Sequence, residues 1–213
     1  MFYKAEDIRA MFNLLNVNEI NYVLTKNIDG DMPHKFKYGK DIDILVNPKD
    51  YKNIQAVMYR SGYNVTIHPC PNEGFMYGAH EDINMINPRN NLIVHAFAQL
   101  CVKSISMNIY VPLDKVIQKS IWENKVWDTA NQWWIMDDEN ILIHLLSKSI
   151  FNKNIFTEAY IREIEKRKYL LMRPTARQKF EKIFFKFTDT LIEKVSKGRY
   201  GEILLSYLTF TNY

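Results

Sequence analysis

Cysteine is nearly absent from this chain, and its scarcity removes whole classes of protein. Only Cys70 and Cys101 occur in 213 residues. They have no metal-binding spacing, so a disulfide framework and a thiolate zinc site are not expected, and both thiols suit a reducing, cytoplasmic setting. Long apolar runs are missing too. No stretch approaches the roughly 18 uncharged apolar residues of a membrane-spanning helix. The start, MFYKAEDIRAMF, lacks the continuous apolar core of a signal peptide. There is no block of like charges, no internal repeat and no low-complexity segment. The net charge of +4 is spread along the chain, so a nucleic-acid partner is not expected. What is present is a hydrophobic fraction of 47% and an aromatic fraction of 14%, as in a packed globular protein.

Periodicity divides the chain near residue 112. Glu6 to Leu15 carries Ile8, Met11, Phe12 and Leu15 at helical spacing. Ile20 to Thr25 is a β-branched and aromatic strand, and Asn27 to Tyr38 is a polar loop. The strand Asp41 to Val46 follows, then a helix over Lys49 to Ser61 closed by Gly62. Tyr63 to His68 is a third strand, and Pro69 to His80 is irregular. Glu81 to Asn87 and Leu92 to Phe97 flank Pro88-Arg89-Asn90-Asn91 as a hairpin. Residues 1–111 therefore read as an α/β (α+β) unit with a small mixed sheet.

Residues 112–213 read as a mainly helical subdomain packed on that core. Asp137 stands as N-cap to Ile141 to Phe151. Glu158 to Tyr169 and Thr175 to Ser196 read as two more helices, with Pro174 at a tolerated helix start.

The chemistry concentrates in Gly39-Lys40-Asp41-Ile42-Asp43 and the apolar Ile44-Leu45-Val46 after it. On a strand, Asp41 and Asp43 project to one face while Ile42 and Ile44 turn into a core. Two adjacent carboxylates repel unless a cation or shared proton lies between them. Mg²⁺, a hard ion that takes carboxylate oxygens together with substrate phosphates, is the natural occupant.

Together with Tyr22-Val23-Leu24-Thr25-Lys26 and the loop to Tyr38, this element resembles the nucleotidyltransferase superfamily with the polymerase-β-like fold. It is most similar to an uncharacterised bacterial group linked to capsule and surface-polysaccharide loci. That group often has a Leu-hydrophobic-His-Leu pattern in its helical half, like Ile141-Leu142-Ile143-His144-Leu145-Leu146 here. The resemblance implies Mg²⁺-dependent transfer of a nucleotidyl or phosphoryl group from a nucleoside triphosphate to a small-molecule or sugar acceptor. It implies Asp41 and Asp43 as metal ligands, and Thr25, Lys26, Gly39 and Lys40 as nucleotide contacts.

The chain departs from the superfamily twice. Thr25-Lys26 stands where Gly-Ser is usual. A third carboxylate is usual on a neighbouring strand, and that strand here reads Asn91-Leu92-Ile93-Val94-His95-Ala96-Phe97. Ile93 or His95 takes the place, with Asp82 as another source. His95 then serves as a base on the acceptor hydroxyl. A domain that binds a nucleotide or a partner protein without catalysis is the alternative.

Other features read as structural. Trp122, Trp127, Trp133 and Trp134 read as packing between the sheet and the helical half. His144 packs between the halves. His34, His68 and His80 lack zinc spacing. The loop with Asp29, Asp31, His34, Lys35 and Lys37 is either a lid or a surface loop. Arg162 to Lys168 reads as a solvated helix face with i,i+4 pairs.

Overall fold

The computed structural model describes residues 1–68, 82–105 and 109–212. Its centre is a mixed sheet of 7 strands, built in the order β3-β4-β5-β2-β1-β9-β8. The strands are β1 (Tyr22–Leu24), β2 (Asp41–Val46), β3 (Asn64–His68), β4 (Asp82–Ile86), β5 (Ile93–Phe97), β8 (Val126–Asp128) and β9 (Trp133–Ile135). A separate two-stranded ribbon pairs β6 (Cys101–Lys103) with β7 (Tyr110–Pro112). β2 runs parallel to β5 and β1 parallel to β9, while the other pairs are antiparallel. The α/β assignment holds, and so does the hairpin of β4 and β5.

The period-two pattern of the strands builds two cores, one on each face. Leu24, Ile42, Ile44, Val46, Ile83, Met85, Val94 and Ala96 turn to the back. There they meet α1 (Ala5–Val17) through Ile8, Met11, Phe12 and Leu15, and α2 (Tyr51–Arg60) through Ile54, Val57 and Met58. Each such side chain, fully buried, contributes about 1.5–3 kcal/mol relative to exposure. Val23 and Leu45 turn to the front and join the core of the helices. Those are α3 (Lys115–Asn124), α4 (Asp138–Ser147), α5 (Glu158–Arg167), α6 (Pro174–Phe184), α7 (Thr188–Ser196) and α8 (Tyr200–Leu208).

α4 is the axis of the helical half. Asp137 caps it by accepting from the Glu139 N–H at 3.2 Å, as expected. Leu142 through Ser147 are all buried, the mark of a helix enclosed on every side. It then widens into a π turn over Lys148–Asn152, a distortion that often accompanies functional sites.

Three expectations need correction. The helix over Thr175 to Ser196 is two helices, α6 and α7, because Phe185 adopts a φ of 50° between them. Beside its helices, the stretch after Pro112 carries β8 and β9, which join the sheet next to β1, with Ile135 opposite Leu24. Trp133 belongs to the back core, 4.5 Å from the Phe12 ring, and not between the sheet and the helices. Glu163, read as part of a solvated face, is buried. The expected irregular segment Pro69 to His80 lies outside the described residues, as does Cys70.

Candidate functional site

A cavity of about 430 Å³ lies between the front of the sheet and the end of α4, within the range of small-molecule sites. β2 supplies its acidic side. The strand is entered through Gly39, whose φ of 83° needs a residue without Cβ and whose N–H donates to the Tyr3 hydroxyl at 3.2 Å. Asp41 and Asp43 then project to the front, and parallel pairing sets Ile93 opposite Asp41 and His95 opposite Asp43. Asp41, Asp43 and His95 each bring one possible ligand atom within 4.8 Å of the others, and they form such a cluster alone among the described residues. Asp82, at the start of β4, also lines the cavity.

His95 Nδ1 lies 3.0 Å from Asp41 Oδ2. Burial opposes a charge on the imidazole. The Asp41 hydrogen bond and the fields of Asp82, Asp41 and Asp43 outweigh it and raise the pKa above the ordinary value. Asp41 is correspondingly lowered, first by its bond to His95.

Two cations lie against Asp43. Lys26, just after β1, donates from Nζ to Asp43 Oδ2, and Lys148 Nζ reaches the same oxygen at 3.8 Å. Burial alone would raise the Asp43 pKa, yet Lys148 and Lys26 hold it well below the usual carboxylate range. Lys26 is correspondingly raised: burial works against its charge, and Asp43 prevails. Lys148 is pushed down to about 8, by burial first and then by Lys26. The buried pair thus holds one more positive charge than Asp43 absorbs.

Of the sequence-predicted site residues, Thr25, Lys26, Asp41, Asp43 and His95 come together in the cavity. Thr25 is fully engaged in joining β1 to β2, with its hydroxyl and its N–H each donating to the Asp43 carbonyl at 3.1 Å. Gly39 and Lys40 do not line the cavity, and Lys40 Nζ instead meets Asp31 at 3.0 Å.

Two neighbours were not singled out as site residues from the sequence. Lys148 sits one helical turn after His144, so the Leu-hydrophobic-His-Leu segment carries a lysine at i+4 on the same face. His144 is buried, has no hydrogen-bond partner at Nε2 and lines the cavity. Burial, then Lys148 and Lys26, keep its pKa far below the ordinary histidine value.

The rim closes the site further. Lys153 lies over the Tyr160 ring at 5.1 Å, and both line the cavity. The Cys101 thiol, pushed up to about 12 by burial, is no nucleophile. The loop after β1 is tied to α5. Arg162 grips Asp29 at 2.6 and 3.1 Å, and the Asp29 N–H donates to Glu163 at 3.1 Å.

The donor set fits one divalent cation. Carboxylate oxygens suit a hard ion such as Mg²⁺ or Mn²⁺, and an adjacent imidazole is tolerated by Mn²⁺. No helix of the described residues is long and apolar enough to cross a membrane.

No protein-family model matches the chain, and no curated protein matches it either. Among solved structures the chain is similar to the antibiotic-resistance factor ANT(2'')-Ia, studied in solution for its substrate-regulated conformation dynamics. The TM-score is 0.48, the identity 7%, and 97% of each chain is covered.

Proposed function

We propose that the protein transfers a nucleotidyl or phosphoryl group from a nucleoside triphosphate to a hydroxyl or phosphate of a small-molecule or sugar acceptor, with a divalent metal ion, Mg²⁺ by preference. One observation carries this reading: Asp41 and Asp43 line a single cavity together with Lys26 and Lys148, which meet at Asp43. A carboxylate pair suits a hard cation, and a lysine pair suits the phosphates that such a cation accompanies. Neither half alone would separate this chemistry from ordinary charge pairing.

Asp41 and Asp43 would hold the ion, which supplies charge neutralisation and orientation at the phosphate under attack. Lys26 and Lys148 bind the remaining phosphate oxygens and steady the leaving group, pyrophosphate in nucleotidyl transfer or nucleoside diphosphate in phosphoryl transfer. His95, oriented by its bond to Asp41, accepts the proton of the acceptor hydroxyl. Lys153, Tyr160 and Phe97 line the rest of the cavity, where they bind the acceptor. The resemblance of the GKDID element to a group linked with surface-polysaccharide loci adds a sugar intermediate as the acceptor class.

A second reading has its own support. Ile93 stands opposite Asp41 where a third carboxylate would complete the acidic cluster, which favours a nucleotide-binding domain without turnover. Release of pyrophosphate or nucleoside diphosphate from each nucleoside triphosphate, with Mg²⁺ or Mn²⁺ and a panel of sugar and sugar-phosphate acceptors, separates the two. Metal-dependent release that disappears in Asp41→Asn supports the transferase. Tight, metal-dependent nucleotide binding with no release for any acceptor supports the binding domain.

A further inference from the structure

We infer that Lys26 and Lys148 stand in for a second divalent cation, so that the site takes one metal ion per chain and the lysines supply the rest of the positive charge to a triphosphate. This rests on the metal-dependent reading above. Two-metal phosphoryl-transfer sites hold both ions between bridging carboxylates, which offset the accumulated charge. Here both ammonium groups converge on one oxygen, Asp43 Oδ2. They arrive from distant parts of the chain, Lys26 from the end of β1 and Lys148 from the π turn after α4.

The charge count argues the same way. Asp41 is met by His95, and Asp43 is met by both Lys26 and Lys148. Among the described residues, Asp82 is the remaining carboxylate on the cavity wall, and its field falls on His95. Lys153, on the cavity rim, adds positive charge. The place where another carboxylate would face Asp41 is held by Ile93.

A structural counter-ion role explains only one of the lysines. Asp43 carries a single charge, and Lys26 meets it directly. Lys148, with a side chain 24% exposed, is then a surplus cation beside a cavity. A buried charge without its own partner is costly, and an anionic ligand supplies the partner. The surplus also lies beside Asp43, where a second ion would have to bind.

The test counts Mn²⁺ bound to the full chain, by the electron-spin signal of free Mn²⁺ and by calorimetry, with a non-hydrolysable triphosphate present. Wild type is expected to bind one ion. Lys148→Met is expected to bind two, and to lose about 10-fold in triphosphate affinity at limiting Mn²⁺, the loss of one charged hydrogen bond. The loss recovers as Mn²⁺ is raised and the second ion enters. Lys148→Arg, which keeps the charge, is expected to stay at one ion, which separates charge from packing. If Lys148→Met does not fold, Lys26→Met is read in its place by the same criteria. Two ions in wild type, or one ion and unchanged affinity in Lys148→Met, overturns the inference and leaves the transferase reading standing. No bound ion in any of these proteins overturns both.

Discussion

Lys179 is a buried lysine and Lys148 a half-buried one; both face carboxylates, yet one is closed in and the other is not. Lys179, on α6, meets Glu139 at 2.7 Å, the Ser120 hydroxyl at 2.5 Å and Asn140 Oδ1 at 3.3 Å. The second oxygen of Glu139 accepts from Thr175 at 2.7 Å. Donors and acceptors match within one network that pins α3, α4 and α6 together. Lys148 has Asp43 at 3.8 Å, shares it with Lys26, and opens onto the cavity. A satisfied buried network specifies packing, whereas an unbalanced one beside a cavity is a place for a ligand. The same residue types therefore have different uses in the two clusters.

The largest expected effect separates the two clusters by chemistry. Asp41→Asn keeps the size of the side chain and removes a metal-binding charge. Several kcal/mol of transition-state stabilisation are at stake, so transfer should fall by about 10³-fold. Thr175→Val, in the closed network, should leave turnover within about twofold, as expected for a residue remote from the reacting atoms. Initial rates of pyrophosphate or nucleoside diphosphate release measure both. Equal losses would end the distinction.

Next comes stability. Lys179→Met leaves Glu139 buried without its cation, and breaking one partner of a buried pair costs about 3–5 kcal/mol. Urea unfolding should register that loss while triphosphate affinity stays unchanged. Lys148→Met should differ: Asp43 keeps Lys26, and the methionine removes a surplus buried charge, so the change should stay within about 1 kcal/mol. A loss as large as that of Lys179→Met would make the cavity cluster structural as well.

The same contrast explains what could be read from the sequence. β2 was legible residue by residue, because alternation on a strand with two faces leaves each side chain one direction. The Asp137 cap was legible because an oxygen side chain ahead of an apolar run has one common use. The acidic side of the cavity is carried by that strand alone. Its cationic side is assembled from the end of β1 and a π turn more than a hundred residues later, and no spacing announces such a meeting. Lys148 looked like an ordinary lysine at the end of a helix.

The split between α6 and α7 was hidden for a different reason. Phe185 takes a positive φ without glycine or proline to signal it. β8 and β9, three residues each, are too short for a period to show.

The smallest expected effect concerns Glu163, a buried carboxylate on α5 that belongs with the closed kind. It accepts from Lys166 at 2.5 Å, from Arg167 at 2.6 Å and from the Asp29 N–H at 3.1 Å. Burial pushes its pKa up, but these donors outweigh burial and lower it. The folded state therefore binds its proton less readily than the unfolded chain does. The stabilisation is present above the unfolded value near 4.5 and is lost as pH falls through the lower folded value. Glu163→Gln should cost about 1 kcal/mol near neutrality, where charged hydrogen bonds become neutral ones. The gap between variant and wild type should then narrow as pH drops below that range, because the wild-type carboxyl becomes protonated and resembles the amide. Unfolding curves of both proteins from neutral to acid pH test this. A gap that stays constant with pH would mean that Glu163 is not held ionised by its partners, and that the tie between the loop after β1 and α5 is maintained by Arg162 and Asp29 alone.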